Sequence, residues 1–346
     1  MQNNSRLKIW VCEFVSAGGL ASELLPASLL QEGLLMRDAL LADLYSLDID
    51  CITSHDIRVP PSKHAHSLAV GPADDVFAVW QQQLAAVDID ACWVIAPETD
   101  GMLYRMQQLV VQAGKRWIGC SAEAIRLASA KSLTADICQQ AGIPSIPHIY
   151  LRQLSTDLPL PWQASTTSGW VAKPDDGAGC EFTCYFNNKS ELIEFKEKIK
   201  LKDASVYYKI LIQPYIAGEA LSMSVLSTYD QVQVIAGHQQ WIAIENGVFK
   251  FKGAGVNQAS QYLPLMQDMA ENIHRAIPGL TGYWGADLIL TPDRQLILVE
   301  INPRLTTPYI ALSRLLTENP ARMILDVILD NRLTAVMTQS SLALNL

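Results

Sequence analysis

Over the first 120 residues, short apolar runs alternate with stretches in which apolar positions recur every three or four residues. Residues 7–14, 51–54, 91–96 and 117–118 read as strands, and residues 28–44, 74–87 and 102–113 read as amphipathic helices. In the first helix Leu30, Leu34, Met36, Leu40, Leu41 and Leu44 fall near helical spacing, with Ser28 placed to cap its first turn. Strand and helix in alternation predict a parallel sheet covered on both faces, an α/β domain spanning residues 1–120. Gly18 and Gly19 follow the first strand, but the segment Ser16-Ala17-Gly18-Gly19-Leu20-Ala21 lacks the G-x-G-x-x-G spacing and reads as a generic flexible turn.

A helix-rich connector, 121–141, stops at Gly142-Ile143-Pro144, where Gly and then Pro end a helix. Beyond it the pattern becomes α+β. Strands are predicted at 170–174, 183–186, 211–214, 221–229, 232–240, 282–290 and 296–301, and helices at 189–199 and 265–277. Asn246-Gly247 marks a hairpin turn, and 155–169 is rich enough in Pro, Ser and Thr to be a surface loop. These boundaries divide the chain into 1–120, 121–217, 218–333 and a tail, 334–346.

The hairpin over 282–301 is the most informative stretch. A four-residue turn at 292–295 sets Asp287 opposite Glu300, and Asn302, two residues on, shares their face. The opposite face then carries Trp284, Ala286, Leu288, Leu290, Ile297, Val299 and Ile301, an apolar set that buries against helices. Two adjacent carboxylates repel unless a cation lies between them, and hard oxygen ligands at this spacing suit Mg²⁺ shared with phosphates. A solvent-facing acidic hairpin is the bland alternative, and Asn302-Pro303-Arg304 at the same edge weighs against it.

Two lysines add to this. Lys173 ends an apolar strand and leads into Asp175-Asp176-Gly177-Ala178-Gly179, a loop whose amides can close over phosphate, although a hairpin turn behind a snorkelling lysine suits the same residues. Lys131 opens a helix, where a cation opposes the helix dipole and a ligand phosphate would relieve the conflict. The segment Gln213-Pro214-Tyr215-Ile216 breaks a buried strand at Pro, leaving backbone groups free to read a base edge.

Composition narrows the field. Of 346 residues, 49% are hydrophobic, which excludes a disordered chain, and 35 acidic against 26 basic residues give a net charge of −9, which excludes a non-specific nucleic-acid binder. Seven cysteines without a C-x-x-C pair read as reduced thiols. The N-terminus lacks the features of a signal peptide, and no apolar run approaches the ~20 residues of a membrane span, so the expected location is cytoplasmic with no membrane partner. Six histidines show no metal spacing beyond His64 and His66, in a polar loop.

Taken in order, these segments resemble the ATP-grasp superfamily of carboxylate-amine ligases over about 98–329. The matching elements are Lys131 before its helix, the Lys173 strand and loop, the hinge from Gln213 to Ile216, and Asp287 with Glu300 and Asn302 in the run Glu-Ile-Asn-Pro-Arg. The resemblance implies an ATP-grasp fold behind a Rossmann-like (pre-ATP-grasp) N-terminal domain. It implies that Lys131, Lys173, Gly177 and Gly179 hold ATP phosphates, that Gln213, Tyr215 and Ile216 meet adenine, and that Asp287, Glu300 and Asn302 hold Mg²⁺, or Mn²⁺ in its place. Arg304 would stabilise the transferring phosphoryl group or the acyl phosphate. Where many members carry a ribose-binding carboxylate this chain has Ala220, with Glu219 as the substitute. Lys252, with Lys250, either closes over phosphate or substrate carboxylate or belongs to an exposed basic hairpin.

Within the superfamily, 12–20, 96–101 and 302–307 are similar to the tyramine-glutamate ligases of methanofuran biosynthesis. That implies phosphorylation of the glutamate side-chain carboxylate and attack by an aromatic amine, with small-molecule acid and amine as partners. Another acid or amine, a small-molecule kinase, and a nucleotide-binding regulatory protein without turnover are the alternatives. Oligomeric state stays open, a homodimer among the options.

Overall fold

The computed structural model of the protein describes residues 6–86, 88–155, 168–177, 180, 182–335 and 340–345. Most of the expected loop 155–169, and Gly179, lie outside them.

The N-terminal third forms a parallel five-stranded sheet. From edge to edge its strands are His66–Val70, Asp50–Asp56, Lys8–Glu13, Ala91–Ile95 and Arg116–Ile118. Helices Ala27–Ser46, Val76–Ala86 and Met102–Gln112 cover it. The chain winds one way from the central strand Lys8–Glu13 and then returns to its other side, so a switch point lies at the carboxyl ends of Lys8–Glu13 and Ala91–Ile95. Two expectations need correction. The residue preceding the first helix is Pro26, so Ser28 sits inside the first turn and does not cap it. The strand His66–Val70 went unread because, of its five residues, only Val70 is buried; an edge strand shows no apolar alternation.

Two helices follow, Ala122–Ser129, capped by Ser121 Oγ accepting from Ala124 N at 3.2 Å, and Lys131–Gln140. The rest of the chain builds one large sheet among the described residues. Its strands run in the order Leu296–Asn302, Gly282–Leu290, Glu219–Ser227, Val232–Glu245, Val248–Val256, Cys184–Phe186, Trp170–Pro174, Ile210–Pro214 and Ile149–Tyr150. The hairpin at Asn246-Gly247 is tight, both residues having positive φ (50° and 75°). Residues Leu342–Asn345, within the stretch read as a tail, pair as a strand with Gly253–Val256.

Three cores show how the sheet divides. One joins Trp10, Trp80 and Ile125 to Trp284, Leu288 and Leu298, and a second joins Leu40 and Leu44 of the first helix to Tyr309, Leu312 and Ile324. Through these the N-terminal domain and the last third share apolar interior. The third core, Leu151, Leu154, Ala172, Leu192, Tyr207, Ile210 and Ile212, belongs to the central segment alone. That segment meets the large half of the sheet through one narrow pairing, Val248 with Cys184. A small unit with its own core and a thin junction can move as a body against the rest. Among the described residues no helix is long and apolar enough to cross a membrane, and all seven cysteines are free thiols.

Candidate active site

Strands Gly282–Leu290 and Leu296–Asn302 pair with Asp287 directly opposite Glu300 and Gly285 opposite Asn302. The route to this register differs from the simple turn. Leu290 pairs with Leu296 and Leu288 with Leu298, and the register then shifts at a bulge around Val299 before Asp287 meets Glu300. The bulge also changes the apolar face. Leu296 and Leu298 are buried in the core, and Ile297 and Val299 are only half-buried, the reverse of the predicted assignment.

Glu300 and Asn302 are buried, and Asp287 is half-buried. Lys131 Nζ lies 3.3 Å from Glu300 Oε2 and donates to the Gly177 carbonyl. The cation at this helix N-terminus is thus offset by a carboxylate from a strand far along the chain. Lys173 is buried beside both. Burial pulls its ammonium down to about 8, against the attraction of Glu300. Burial likewise pushes the Asp287 carboxyl up to about 8, and the Glu300 charge adds to the effect, while Gln240 Nε2 donates to Asp287 Oδ1 at 2.9 Å. For Glu300 burial works in the same upward sense, but Lys131 and Lys173 outweigh it and hold the group below its ordinary value. One carboxylate of the pair carries the negative charge, and the other wants a cation.

The phosphate-loop candidate docks onto the Lys131 helix through Asp175, whose carbonyl accepts from Lys131 N at 3.0 Å. Its carboxylate takes Ser132 N at 2.8 Å, Ser132 Oγ at 2.7 Å and Tyr150 OH at 3.1 Å. Ala130 offers the helix no side-chain cap, and Asp175 supplies one from the loop after strand Trp170–Pro174. A helix opening on Ala-Lys-Ser with no capping residue was the available sign that a cap must come from elsewhere. At the hinge, Gln213 is buried with Nε2 3.4 Å from Ile146 O, and the Tyr215 amide donates to Gly169 O at 2.9 Å. The Tyr215 ring packs edge-on against Tyr185. Glu219 is exposed at the start of its strand.

Arg304 leaves the strand end and meets the N-terminal domain. Its Nη2 donates to Glu98 Oε2 at 3.0 Å and its Nε stands 2.9 Å from Glu98 Oε1, a buried two-point ion pair. Glu98 lies just past the carboxyl end of Ala91–Ile95, so this ion pair ties the switch-point end of the N-terminal sheet to the segment that follows Leu296–Asn302. Sequence reasoning passed over Glu98 as a site residue, because its partner is 206 positions away. Lys252 is the extra residue where the hairpin register shifts between Trp241 and Ile242; its Nζ pairs with Glu245 at 2.7 Å, both half-exposed. Among the described residues no group of three or more His, Cys, Asp or Glu is gathered, so a cation here would rely on two carboxylates and an amide.

Comparison with known proteins bears on the fold and the family. The ATP-grasp domain profile matches residues 128–308, more than half of the chain, and the pre ATP-grasp 3 domain profile matches 49–125. The chain belongs to the ATP-grasp family. Its fold is accordingly an ATP-grasp fold behind a pre-ATP-grasp domain, and it is an enzyme of the ATP-grasp ligase family, as the resemblance implied. A tyramine–L-glutamate ligase of Methanocaldococcus fervens is 26% identical over 300 residues, covering 85% of this chain and 86% of the relative. Among solved structures, biotin carboxylase of Campylobacter jejuni in complex with β-γ-ATP has a TM-score of 0.73 at 13% identity, covering 97% of this chain and 74% of that one. The L-amino acid ligase of Bacillus licheniformis has a TM-score of 0.67 at 13% identity, covering 94% and 75%. These two likenesses speak for the fold.

Proposed function

We propose that this protein is an ATP-dependent carboxylate-amine ligase that activates the side-chain carboxylate of L-glutamate as an acyl phosphate and joins it to tyramine or a related aromatic amine. The observation that carries the catalytic part is the meeting, on one face, of Asp287 and Glu300 with Lys131 and Lys173, four charged groups from three separate segments. The choice of acid and amine rests on the relative that matches most of the chain.

A divalent cation fits the donor set. Asp287, Glu300 and Asn302 offer only oxygen, and the burial that pushes Asp287 up to about 8 is reversed by a cation between the carboxylates. When bound, Mg²⁺ supplies Lewis-acid neutralisation of phosphate charge. In this reading Lys131 and Lys173 hold the phosphates of ATP, and phosphate offsets the cost of burying the Lys173 ammonium. The loop at Gly177 covers the phosphates. Adenine sits at the hinge, where the Tyr215 amide is already taken, so the Tyr215 carbonyl and the Ile216 backbone remain to read it. Arg304 faces the transferred phosphoryl group. Chemically, a carboxylate oxygen attacks the γ-phosphorus and ADP departs; the amine nitrogen, deprotonated, then attacks the acyl carbon, and phosphate departs with the C–O bond electrons. Activation is needed because oxide is a poor leaving group and phosphate a good one.

Hydroxylamine trapping tests this directly. With Mg-ATP, glutamate and hydroxylamine but no tyramine, γ-glutamyl hydroxamate and ADP are expected, and Glu300→Gln or Lys173→Ala should abolish both. ADP release without hydroxamate, or neither product from the wild type, would refute activation of glutamate as an acyl phosphate.

A further inference from the structure

The loop that follows strand Ala91–Ile95 touches both halves of the nucleotide site. Glu98 holds Arg304, on the C-terminal half, through the buried ion pair at 2.9 and 3.0 Å. Two residues later the Asp100 amide donates to Asp176 Oδ2 at 3.0 Å, and Lys209 Nζ bridges Asp100 Oδ1 at 2.5 Å and Asp176 Oδ2 at 2.9 Å. Asp176 belongs to the loop that carries Gly177, and Lys209 ends the helix whose carbonyl accepts from Asp175 N at 2.9 Å. Both therefore ride on the central segment with its separate core. Asp100 and Gly101 are consecutive left-handed residues (φ 54° and 68°), a conformation that costs energy for a residue with a Cβ and persists where surroundings hold it. Here the Asp176 carboxylate takes the amide that this twist presents.

We infer that loop 97–101 is a positioning element that links docking of the phosphate loop to the aim of Arg304, with Asp176 and Asp100 forming the clasp on one side and Glu98 orienting Arg304 on the other. The inference rests on the ligase reading above. Its physical content is a shared rigid segment. Closing the central unit on nucleotide brings the Asp176 carboxylate to the Asp100 amide, which fixes the loop and so fixes Glu98, the direct partner of the arginine that faces the reacting phosphoryl group. With the unit open, the Asp100 amide has no acceptor, the strained turn relaxes, and Glu98 loses its fixed base. Neither residue touches the reacting atoms; each acts through another group.

The test is hydrogen exchange of the full chain with and without MgADP, together with steady-state turnover on glutamate and tyramine. In the wild type, MgADP should slow exchange of amides 98–103 by about tenfold, the protection gained when the Asp100–Asp176 hydrogen bond is held closed for more of the time. Asp176→Ala, which removes the acceptor, should lose that slowing and weaken MgADP binding about three- to tenfold, the range for a partly exposed charged contact. Glu98→Gln should keep the slowing and a near-normal KM for ATP while kcat falls about a hundredfold, because a misaimed group costs rate more than binding. Glu98→Asp should recover part of the kcat. Slowing at 170–177 without slowing at 98–103 in the wild type, or full slowing in Asp176→Ala, overturns the linkage. A parallel rise in KM for ATP in Glu98→Gln overturns the orienting role. Absence of any MgADP binding by the wild type would instead bring down the ligase reading, and this inference with it.

Discussion

Gly285 sits opposite Asn302 and next to Ala286 on the strand that bears Asp287, and a methyl group placed on it would lie 2.6 Å from Thr306 Cγ2. Carbon atoms pack at about 3.5–4.0 Å, so Gly285→Ala must move Thr306 by about 1 Å. Thr306 has little room to yield. Its hydroxyl meets Tyr283 OH at 2.8 Å, its carbonyl takes Tyr309 N at 2.9 Å, and the neighbouring Thr307 hydroxyl is bonded to Glu32. Displacement therefore passes up the segment to Arg304, two residues away. Overpacking of this kind costs about 1–3 kcal/mol of stability, and a 1 Å misplacement of a group at the reacting centre costs about 10²-fold in rate. Thr306→Ser removes the offending Cγ2 and keeps the hydroxyl that Tyr283 uses. Measuring ADP formation and thermal midpoint for the two single variants and the double variant separates the contributions. Gly285→Ala should be slow and somewhat less stable, Thr306→Ser close to wild type, and the double variant should recover most of the lost rate, with a coupling well beyond the ~0.5 kcal/mol expected of independent sites. Wild-type activity in Gly285→Ala, or effects of the two changes that simply add, would refute the steric argument.

Burial of the Lys173 ammonium predicts a pH signature in the ligand-free protein. Its value falls from 10.5 to about 8, so the folded state gives up its proton before the unfolded chain does; the penalty, on the order of 3 kcal/mol, is full below about pH 8 and fades as pH rises toward 10.5. Thermal melts should show Lys173→Met more stable than wild type at pH 7 with a shrinking gap by pH 10, and MgADP should no longer stabilise it; parallel curves would count against the buried charge. Tyr283→Phe cuts the chain from His238 Nε2 through Ser224 Oγ and Tyr283 OH to Thr306 Oγ1 and should cost about 1–3 kcal/mol by stranding buried hydroxyls. His238 accepts from Asn257 N at 3.1 Å and burial holds it down to about 3, so that loss should be equal at pH 5 and pH 8; a loss that differs between the two would mean a histidine that titrates in that range.

Where the sequence could be read, local periodicity did the reading. The strands Gly282–Leu290 and Trp170–Pro174 stand where alternation and bounding turns put them. The facing of Asp287 and Glu300 was legible too, although by an assumed turn; the bulge at Val299 that produces it leaves no mark in a pattern of equally apolar residues, and it is what sends Leu296 and Leu298 into the core. The pairing of Arg304 with Glu98, the cap that Asp175 gives the Lys131 helix, and the clasp at Asp100 were not legible. Each joins segments distant in sequence, and a charged residue carries no local sign of which opposite charge will reach it. The edge strand His66–Val70, with one buried residue, had no periodic signal to offer.

The central claim is amide formation driven by ATP cleavage, and the measurement that bears on it most directly is ADP release with Mg-ATP and L-glutamate, with and without tyramine, followed by the mass of the product. The account predicts ADP in step with amide when both substrates are present and little without tyramine. ADP release that ignores both substrates, or a phosphorylated product with no amide, would contradict it.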